Sequence, residues 1–347
     1  MARRVIIFRL GSIGDMVVAL PCLNLVAEAF ADCERIALTN IPMSNKTVSM
    51  AEILAPAGFI HGSIAYPLAT RSPRVLFEVA AQIRRLEPEA LVYLAGGESV
   101  GKVLRNLAFF RFCGVRRVVG APLTSDLARA RPDPATGDLE SESSRLARCL
   151  APLGEIDLDN RAGWDLRLTP AERRAADEFL SAAPGEFIAI NTGGKLPIQD
   201  WGEENWATLL DRLSLPLNAA PSLVFVGGAD DHPRAQRLAE RWPHARLNAC
   251  GVLTPRETAA VLSRARLFVG HDSGPLHLAA AVGTVCVAMY GPNNRPRQWH
   301  PYGADHRVFH DMTGVANIPP QAVADAVSEA WLDRAHVGER KSDQSAS

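Results

Sequence analysis

The sequence predicts an α/β protein built from two doubly wound, mainly parallel-sheet domains. Three observations carry this. Short β-branched runs alternate with longer segments of helical apolar spacing, glycine-rich turns follow strand ends in both halves, and 347 residues suit two domains of roughly 150 residues each.

In the N-terminal half, Val5–Phe8, Arg35–Leu38, Ala90–Leu94 and Arg116–Val119 have strand character. Residues 15–30, 44–55, 73–86, 101–112 and about 142–151 have helical spacing. The polar, proline-rich stretch 131–138 is a loop with the composition of a mobile one. The pattern weakens over Asp157–Leu168, then Thr169-Pro170-Ala171-Glu172 supplies an N-cap, a proline at the first helical position and the glutamate of a capping box. The domain boundary belongs there. In the second half, strands are expected at 186–190, 222–226, 266–269 and 285–288. Helices are expected at 170–182, 203–213, 232–241, 255–264, 275–282 and 320–334.

The predicted organisation is a Rossmann-like domain over 1–165 and a second over 166–320, with a helix at 321–336 packing back on the first and a disordered polar tail at 337–347. Two such domains in series imply a cleft between the carboxyl ends of two sheets, where α/β proteins bind ligands.

Composition narrows the function. A formal net charge of -1 argues against a general nucleic-acid binder. Between His61 and Arg131, however, 11 Lys/Arg face 5 Asp/Glu. That excess reads either as solvated helix faces or as attraction to an anionic acceptor or a membrane surface. The six cysteines form no CxxC pair and sit partly in apolar runs, which fits small core residues in a reducing compartment. No apolar run approaches the ~18 residues of a membrane span, and Arg9 interrupts the first apolar run too early for a signal peptide. A cytoplasmic protein is expected.

Four segments carry chemistry. Phe8-Arg9-Leu10-Gly11-Ser12-Ile13-Gly14-Asp15 runs from a strand through a glycine turn into a helix. Its GxxG spacing is not a dinucleotide fingerprint. Asp15 is either a helix cap or a carboxylate held for general-base work, with Gly11, Ser12 and Gly14 shaping the acceptor side. Gly270-His271-Asp272-Ser273-Gly274-Pro275-Leu276-His277 repeats the strand–turn–helix plan. Ser273 and Gly274 would offer backbone N–H groups to an anion, Pro275 would sit in the first turn, and His277 would donate to a phosphate oxygen or be a core histidine. Asp272 suits a turn, a ribose hydroxyl or a neighbouring amide. Thr192-Gly193-Gly194-Lys195, followed by Gln199-Asp200-Trp201, places a cation on a loop that allows close backbone approach, as a diphosphate requires; the alternative is a solvent loop. Finally, Asp231 follows Val226-Gly227-Gly228, where an acid grips ribose hydroxyls or caps a helix. The D-x-D triplet Asp157-Leu158-Asp159 lies in the expected linker, so no metal site is expected.

Gly14-Asp15 with Pro21, and Asp272-Ser273-Gly274-Pro275-Leu276-His277-Leu278, resemble the two signatures of glycosyltransferase family 9, the bacterial heptosyltransferases of GT-B fold. Residues 187–206, 224–234 and Tyr290-Gly291-Pro292 resemble the blocks between them. The resemblance implies inverting, metal-independent transfer from a nucleotide-activated heptose to a lipopolysaccharide-core or related anionic glycan or glycolipid acceptor, with no cofactor beyond the donor and possible peripheral contact with the inner membrane. It makes Asp15 the base. Thr192, Gly193, Gly194, Lys195, Gln199, Ser273, Gly274, Pro275 and His277 would line the donor, and Asp231, Asp272 and Leu253 would lie toward its sugar, ribose or base. One position departs: the family often has lysine where this chain has Gln199, and Lys195 is the expected substitute. ADP-heptose is therefore the expected donor, with another nucleotide sugar, an epimerase, or a non-catalytic nucleotide-sugar-binding protein as alternatives.

Overall fold

Runs such as Val5-Ile6-Ile7-Phe8 and Val285-Cys286-Val287-Ala288-Met289-Tyr290 are buried along their whole length, as strands covered on both faces must be. The computed structural model describes residues 3–40, 48–66, 72–97, 99–194, 196–213 and 221–344. It divides into Met1–Arg167 with Pro296–Trp299, and Leu168–Arg295 with His300–Ser347.

The first unit contains β1 (Arg3–Phe8), α1 (Ile13–Val18), α2 (Leu20–Ala29), β2 (Cys33–Asn40), α3 (Met50–Leu54), β3 (Gly62–Tyr66), α4 (Pro73–Leu86), β4 (Ala90–Tyr93), α5 (Val100–Phe112), β5 (Val118–Val119), α6 (Ser125–Ala128) and α7 (Glu142–Leu150). Its strands are parallel in the order β3-β2-β1-β4-β5. The order reverses direction between β1 and β4, so a crevice opens beyond their carboxyl ends. Phe8 anchors the core, its ring meeting Tyr66, Tyr93 and Phe110 edge to face.

Several expectations change here. The single helix expected over 15–30 breaks at Ala19, because Pro21 has no N–H for the helical ladder and starts a second helix instead. The helix expected at 44–55 is described only as α3, and residues 44–47 lie outside the described residues. β3 was not expected: it is an edge strand whose one fully buried side chain is Ile64, too little for a visible alternation. The stretch 131–138, expected to be a loop, is one, and it is closed on itself by hydrogen bonds. Asp133 N donates to the Asp138 carbonyl at 2.7 Å, and its carboxylate accepts from Ala135 N and Thr136 N. The weak stretch 157–168 holds a 3-10 turn, Arg161–Trp164, tied to α2 by Asn24, which donates to the Gly163 carbonyl. Residues Pro296–Trp299 join this unit as well, the Gln298 carbonyl accepting from Glu142 N at 3.0 Å.

The second unit contains α8 (Pro170–Leu180), β6 (Phe187–Asn191), α9 (Glu203–Leu213), β7 (Ser222–Phe225), α10 (His232–Glu240), β8 (Arg246–Asn248), α11 (Pro255–Leu262), β9 (Leu267–His271), α12 (Gly274–Ala281), β10 (Val285–Tyr290), β11 (Arg307–His310) and α13 (Pro320–Gln344). Its parallel sheet runs β11-β10-β9-β6-β7-β8, with the reversal between β6 and β9. The short strands β8 and β11 at the two edges were not expected, since neither has more than four residues of pattern. The Thr169–Glu172 capping box forms, Thr169 N donating to Glu172 Oε2 at 2.8 Å.

The last helix is a correction. Val323, Val327 and Trp331 of α13 are buried in the second unit's core, where the sequence reading packed this helix on the first domain. The reason is a continuous apolar face that the second sheet accepts through α9, β9 and β10. α13 also continues to Gln344 through most of the expected tail, and residues 345–347 lie outside the described residues. Among the described residues no helix is long and apolar enough to cross a membrane, and all six cysteines are buried and unpaired.

Candidate functional site

In the first unit the turn after β1 is shaped by one close contact. Gly11 has φ +133°, and a Cβ there would lie 2.1 Å from Asp15 Cγ, so only glycine lets the carboxylate fold back over the turn. Asp15 Oδ2 accepts from Ser12 N at 2.7 Å and from the Ser12 hydroxyl at 3.2 Å, while Gly11 N donates to Asn40 Oδ1 at 2.7 Å. Asp15 is thus the reach-back residue of a capping box and not the N-cap itself, which is Ser12. The cap uses one carboxylate oxygen. Among the described residues the other accepts no hydrogen bond, and 29% of the side chain is exposed.

Sequence reasoning missed the residue behind it. Arg9 is buried, donates through Nε and one terminal nitrogen to the Asp15 carbonyl, and through the other to the Leu94 carbonyl at 2.5 Å. Its guanidinium lies 3.9 Å from Asp15 Oδ1. Arg9 therefore pins the first turn of α1 to the end of β4 and faces the unused oxygen with a positive charge. A charged residue at the end of a buried strand, otherwise unexplained, was the available signal.

In the second unit three loops converge beyond the carboxyl ends of β6, β7 and β9. Ser273, the N-cap of α12, donates its hydroxyl to Asn191 Oδ1 at 2.8 Å, and Asn191 in turn donates to the Val226 carbonyl. Asp231 lies against two glycines: a Cβ on Gly193 would sit 2.1 Å from Asp231 Oδ1, and one on Gly227 would sit 2.6 Å from Oδ2. Asp231 Oδ2 also accepts from Gly228 N at 2.8 Å. Leu253, half-buried, is on the loop whose Gly251 packs on Ala229 and donates to the Gly227 carbonyl. Thr192, Gly193, Gly194, Asp231, Ser273, Gly274 and Leu253 are therefore on adjoining loops of one crevice. Lys195 lies outside the described residues.

Asp272 takes up one of the partners considered above, neighbouring amides. Its Oδ2 accepts from Gln199 Nε2 at 3.0 Å, Asn293 Nδ2 at 3.1 Å and Asn294 Nδ2 at 2.5 Å. His277 Nε2 stands 3.7 Å from Oδ1, close enough for attraction but too far for a hydrogen bond. Burial alone raises the carboxyl's pKa; the imidazole and the amides outweigh it and hold the group below the usual carboxylate range. Three neighbouring amides thus converge on one carboxylate oxygen. Gln199 is fully engaged too, since its Oε1 accepts from Leu196 N. It joins the loop after β6 to the loop after β9.

Two more residues escaped the sequence reading. Arg234 of α10 forms a two-pronged ion pair with Asp200 (2.9 and 2.8 Å) and donates to the Thr192 carbonyl at 3.1 Å, fixing the start of the glycine loop. His271 is fully buried against Trp206, and burial pushes its pKa down to about 4, so it is neutral near pH 7. Pro275 is in the first turn of α12, and His277 follows buried one turn on. Among the described residues no three His, Cys, Asp or Glu side chains group as metal ligands.

Two parallel sheets, each reversing strand order at its middle, place the protein among the doubly wound α/β folds. Comparison with solved structures narrows the class to the GT-B fold. A glycosyltransferase family 9 protein from Veillonella parvula superposes with TM-score 0.72 at 21% identity, over 96% of this chain and 98% of that one. The Escherichia coli ADP-heptose lipopolysaccharide heptosyltransferase II gives 0.66 at 16% identity, over 95% and 99%. The model of glycosyltransferase family 9 (heptosyltransferase) matches residues 144–317, and the chain belongs to that family. Among curated relatives, lipopolysaccharide heptosyltransferase 2 of Salmonella typhimurium is 25% identical over 51% of this chain and 52% of its own length. Lipopolysaccharide heptosyltransferase 1 of Escherichia coli is 27% identical over 48% and 52%. The chain thus spans about half the length of the curated relatives it matches.

Proposed function

We propose that this protein is an inverting, metal-independent glycosyltransferase that moves heptose from ADP-heptose to a lipopolysaccharide-core or related anionic acceptor. The observation that carries the reading is the convergence of Ser273, Asn191, Gly193 and Asp231 at the reversal of the second sheet, ahead of the N-terminus of α12. Amides at a helix start favour a diphosphate, and glycine at 193 lets the Asp231 carboxylate pack directly against the loop. The relatives named above are heptosyltransferases, which directs the choice of sugar.

In the proposed reaction Asp15 takes the proton from the acceptor hydroxyl through the carboxylate oxygen that the cap leaves unused. The hydroxyl oxygen forms the new bond to the anomeric carbon as the bond to the diphosphate breaks, with inversion. The departing charge is met by the α12 amides, by His277, and by Lys195 as the sequence reading places it. Asp231 and the Leu253 loop would hold ribose and base. Buried, unpaired cysteines suit a reducing, cytoplasmic setting.

The test is a donor panel. Thermal shift with ADP-, GDP- and UDP-sugars should show stabilisation by the ADP compound, since a ligand that binds only the folded state raises apparent stability. ADP-heptose with a core acceptor should then yield free ADP and an extended glycan. Donor conversion without any acceptor would point to an epimerase instead. Binding without turnover across acceptors would leave a nucleotide-sugar-binding protein.

A further inference from the structure

Two histidines that the transfer chemistry does not use stand together at the end of the second sheet. His310 is the last residue of β11 and is paired in register with Tyr290, the last residue of β10. The Tyr290 ring stacks on His310 with centroids 5.6 Å apart and meets the His300 ring at 4.8 Å. His300 Nε2 lies 2.9 Å from His310 Nδ1, a hydrogen bond between the two imidazoles.

The other nitrogen of His310 has a defined task. Its Nε2 faces the carbonyl oxygens of Gly291 and Asn294, each at 3.1 Å. A carbonyl only accepts, so Nε2 carries a proton and donates to both. Nδ1 keeps its partner in either charge state of the ring. It accepts from His300 when His310 is neutral and donates to it when His310 is charged. The imidazole is thus held at both nitrogens and on one face.

What the held turn carries gives the arrangement its consequence. Asn294 is tied at two points, its carbonyl to His310 and its side-chain amide to Asp272 Oδ2 at 2.5 Å. Asn293 gives the same oxygen an amide at 3.1 Å. Two of the three side-chain amides on Asp272 therefore come from a turn whose backbone one imidazole grips, and the third comes from Gln199. Gly291 also packs on the loop that bears Gln199, since a Cβ there would lie 3.4 Å from the Ile198 carbonyl. Stacking on Tyr290 requires only a ring at 310. The two carbonyls require an N–H.

We propose that His310 is a positioning residue for the nucleotide-sugar site. Through the turn 291–294 it delivers Asn293 and Asn294 to Asp272, and so sets the approach to Ser273 and the start of α12, with His300 fixing the imidazole. The inference rests on the reading of the second unit's crevice as the donor site.

The experiment is calorimetric titration of ADP into the full chain and into two variants that separate the ring from its proton. His310→Phe keeps a ring against Tyr290 and removes the donor, whereas His310→Gln keeps an N–H and removes the ring. His310→Phe should weaken ADP binding about 10-fold, and His310→Gln should stay within about 3-fold of wild type. Two-bond 1H–15N spectra of the wild-type chain should show His310 protonated on Nε2, a readout that stands even where a variant fails to fold. The reverse order of affinities, with His310→Phe like wild type and His310→Gln weakened, makes His310 a packing residue and overturns the proposal. So do equal affinities in the two variants, or a His310 protonated on Nδ1 alone. A wild-type chain that binds no ADP overturns the donor reading first and this inference with it.

Discussion

Asp15 and Asp272 each follow a parallel strand that borders the reversal of its sheet, and the two carboxylates are used in opposite ways. Asp15 gives one oxygen to its own turn in a partly exposed side chain, with the buried Arg9 charge 3.9 Å from the other oxygen. Asp272 is buried and gathers Gln199, Asn293 and Asn294 on one oxygen, with His277 beside the other. An acid with an oxygen to spare can move a proton. An acid surrounded by protein donors fixes the shape of the loops it joins.

The contrast breaks most directly at Asp15. Asp15→Asn keeps the acceptor for Ser12 N but removes the proposed base, so transfer should fall about 10³-fold. Donor affinity and unfolding temperature should stay near wild type. Unchanged turnover would remove Asp15 from the chemistry.

At Asp272 the expected loss lies in structure. Asp272→Ala leaves three side-chain amides without their acceptor, at about 1–3 kcal/mol for a stranded buried group, so an unfolding loss of about 3 kcal/mol is expected together with weakened donor binding. Wild-type stability in chemical denaturation, with only turnover reduced, would make Asp272 a second reacting group and erase the distinction.

The pH dependence sharpens the picture of the second unit. His271 has its folded-state pKa pushed down to about 4, from an ordinary value of 6.5, mainly by burial. The unfolded chain therefore binds the proton first as pH falls. Stability is full above 6.5 and declines toward 4, by on the order of 2–3 kcal/mol. The depressed Asp272 carboxyl acts lower down: its contribution is present above the ordinary value of 3.8 and is lost as pH falls through its folded value. Unfolding midpoints across this range should slope for wild type and flatten between 6.5 and 4 for His271→Phe. An equal slope in that variant would place the titration elsewhere.

The smallest effect is expected at Arg9. Arg9→Met should reduce turnover about 10-fold at unchanged donor KM, since the carboxylate stays on its turn but loses the group that pins it. Arg9→Lys should restore most of the rate by keeping the charge. Equal rates for both substitutions would make Arg9 a packing residue only.

Much of this architecture was legible along the chain because the signals are local. The strands at 5–8, 187–190, 267–269 and 285–290 are continuous apolar runs, and Thr169-Pro170-Ala171-Glu172 announces a helix through its own capping groups. The edge strands β3, β8 and β11 were not legible. Each is short and pairs on one side only, so its strand character comes from the neighbour that supplies the hydrogen bonds. The break at Ala19 had a local cause in Pro21, but the apolar spacing on either side concealed it.

By itself, the sequence determined two α/β units, the glycine turns after their strands, and the presence of Asp15, Asp231 and Asp272 beside those turns. The division of labour among the acids was decided only by tertiary structure. Gln199, Asn293 and Asn294 lie 73, 21 and 22 residues from Asp272, and Arg9 reaches Leu94 across 85 residues. A carboxylate's role depends on which donors surround it and how much water reaches it. Those are set by parallel strands bringing distant loops together at one end of a sheet, and no spacing along the chain encodes them.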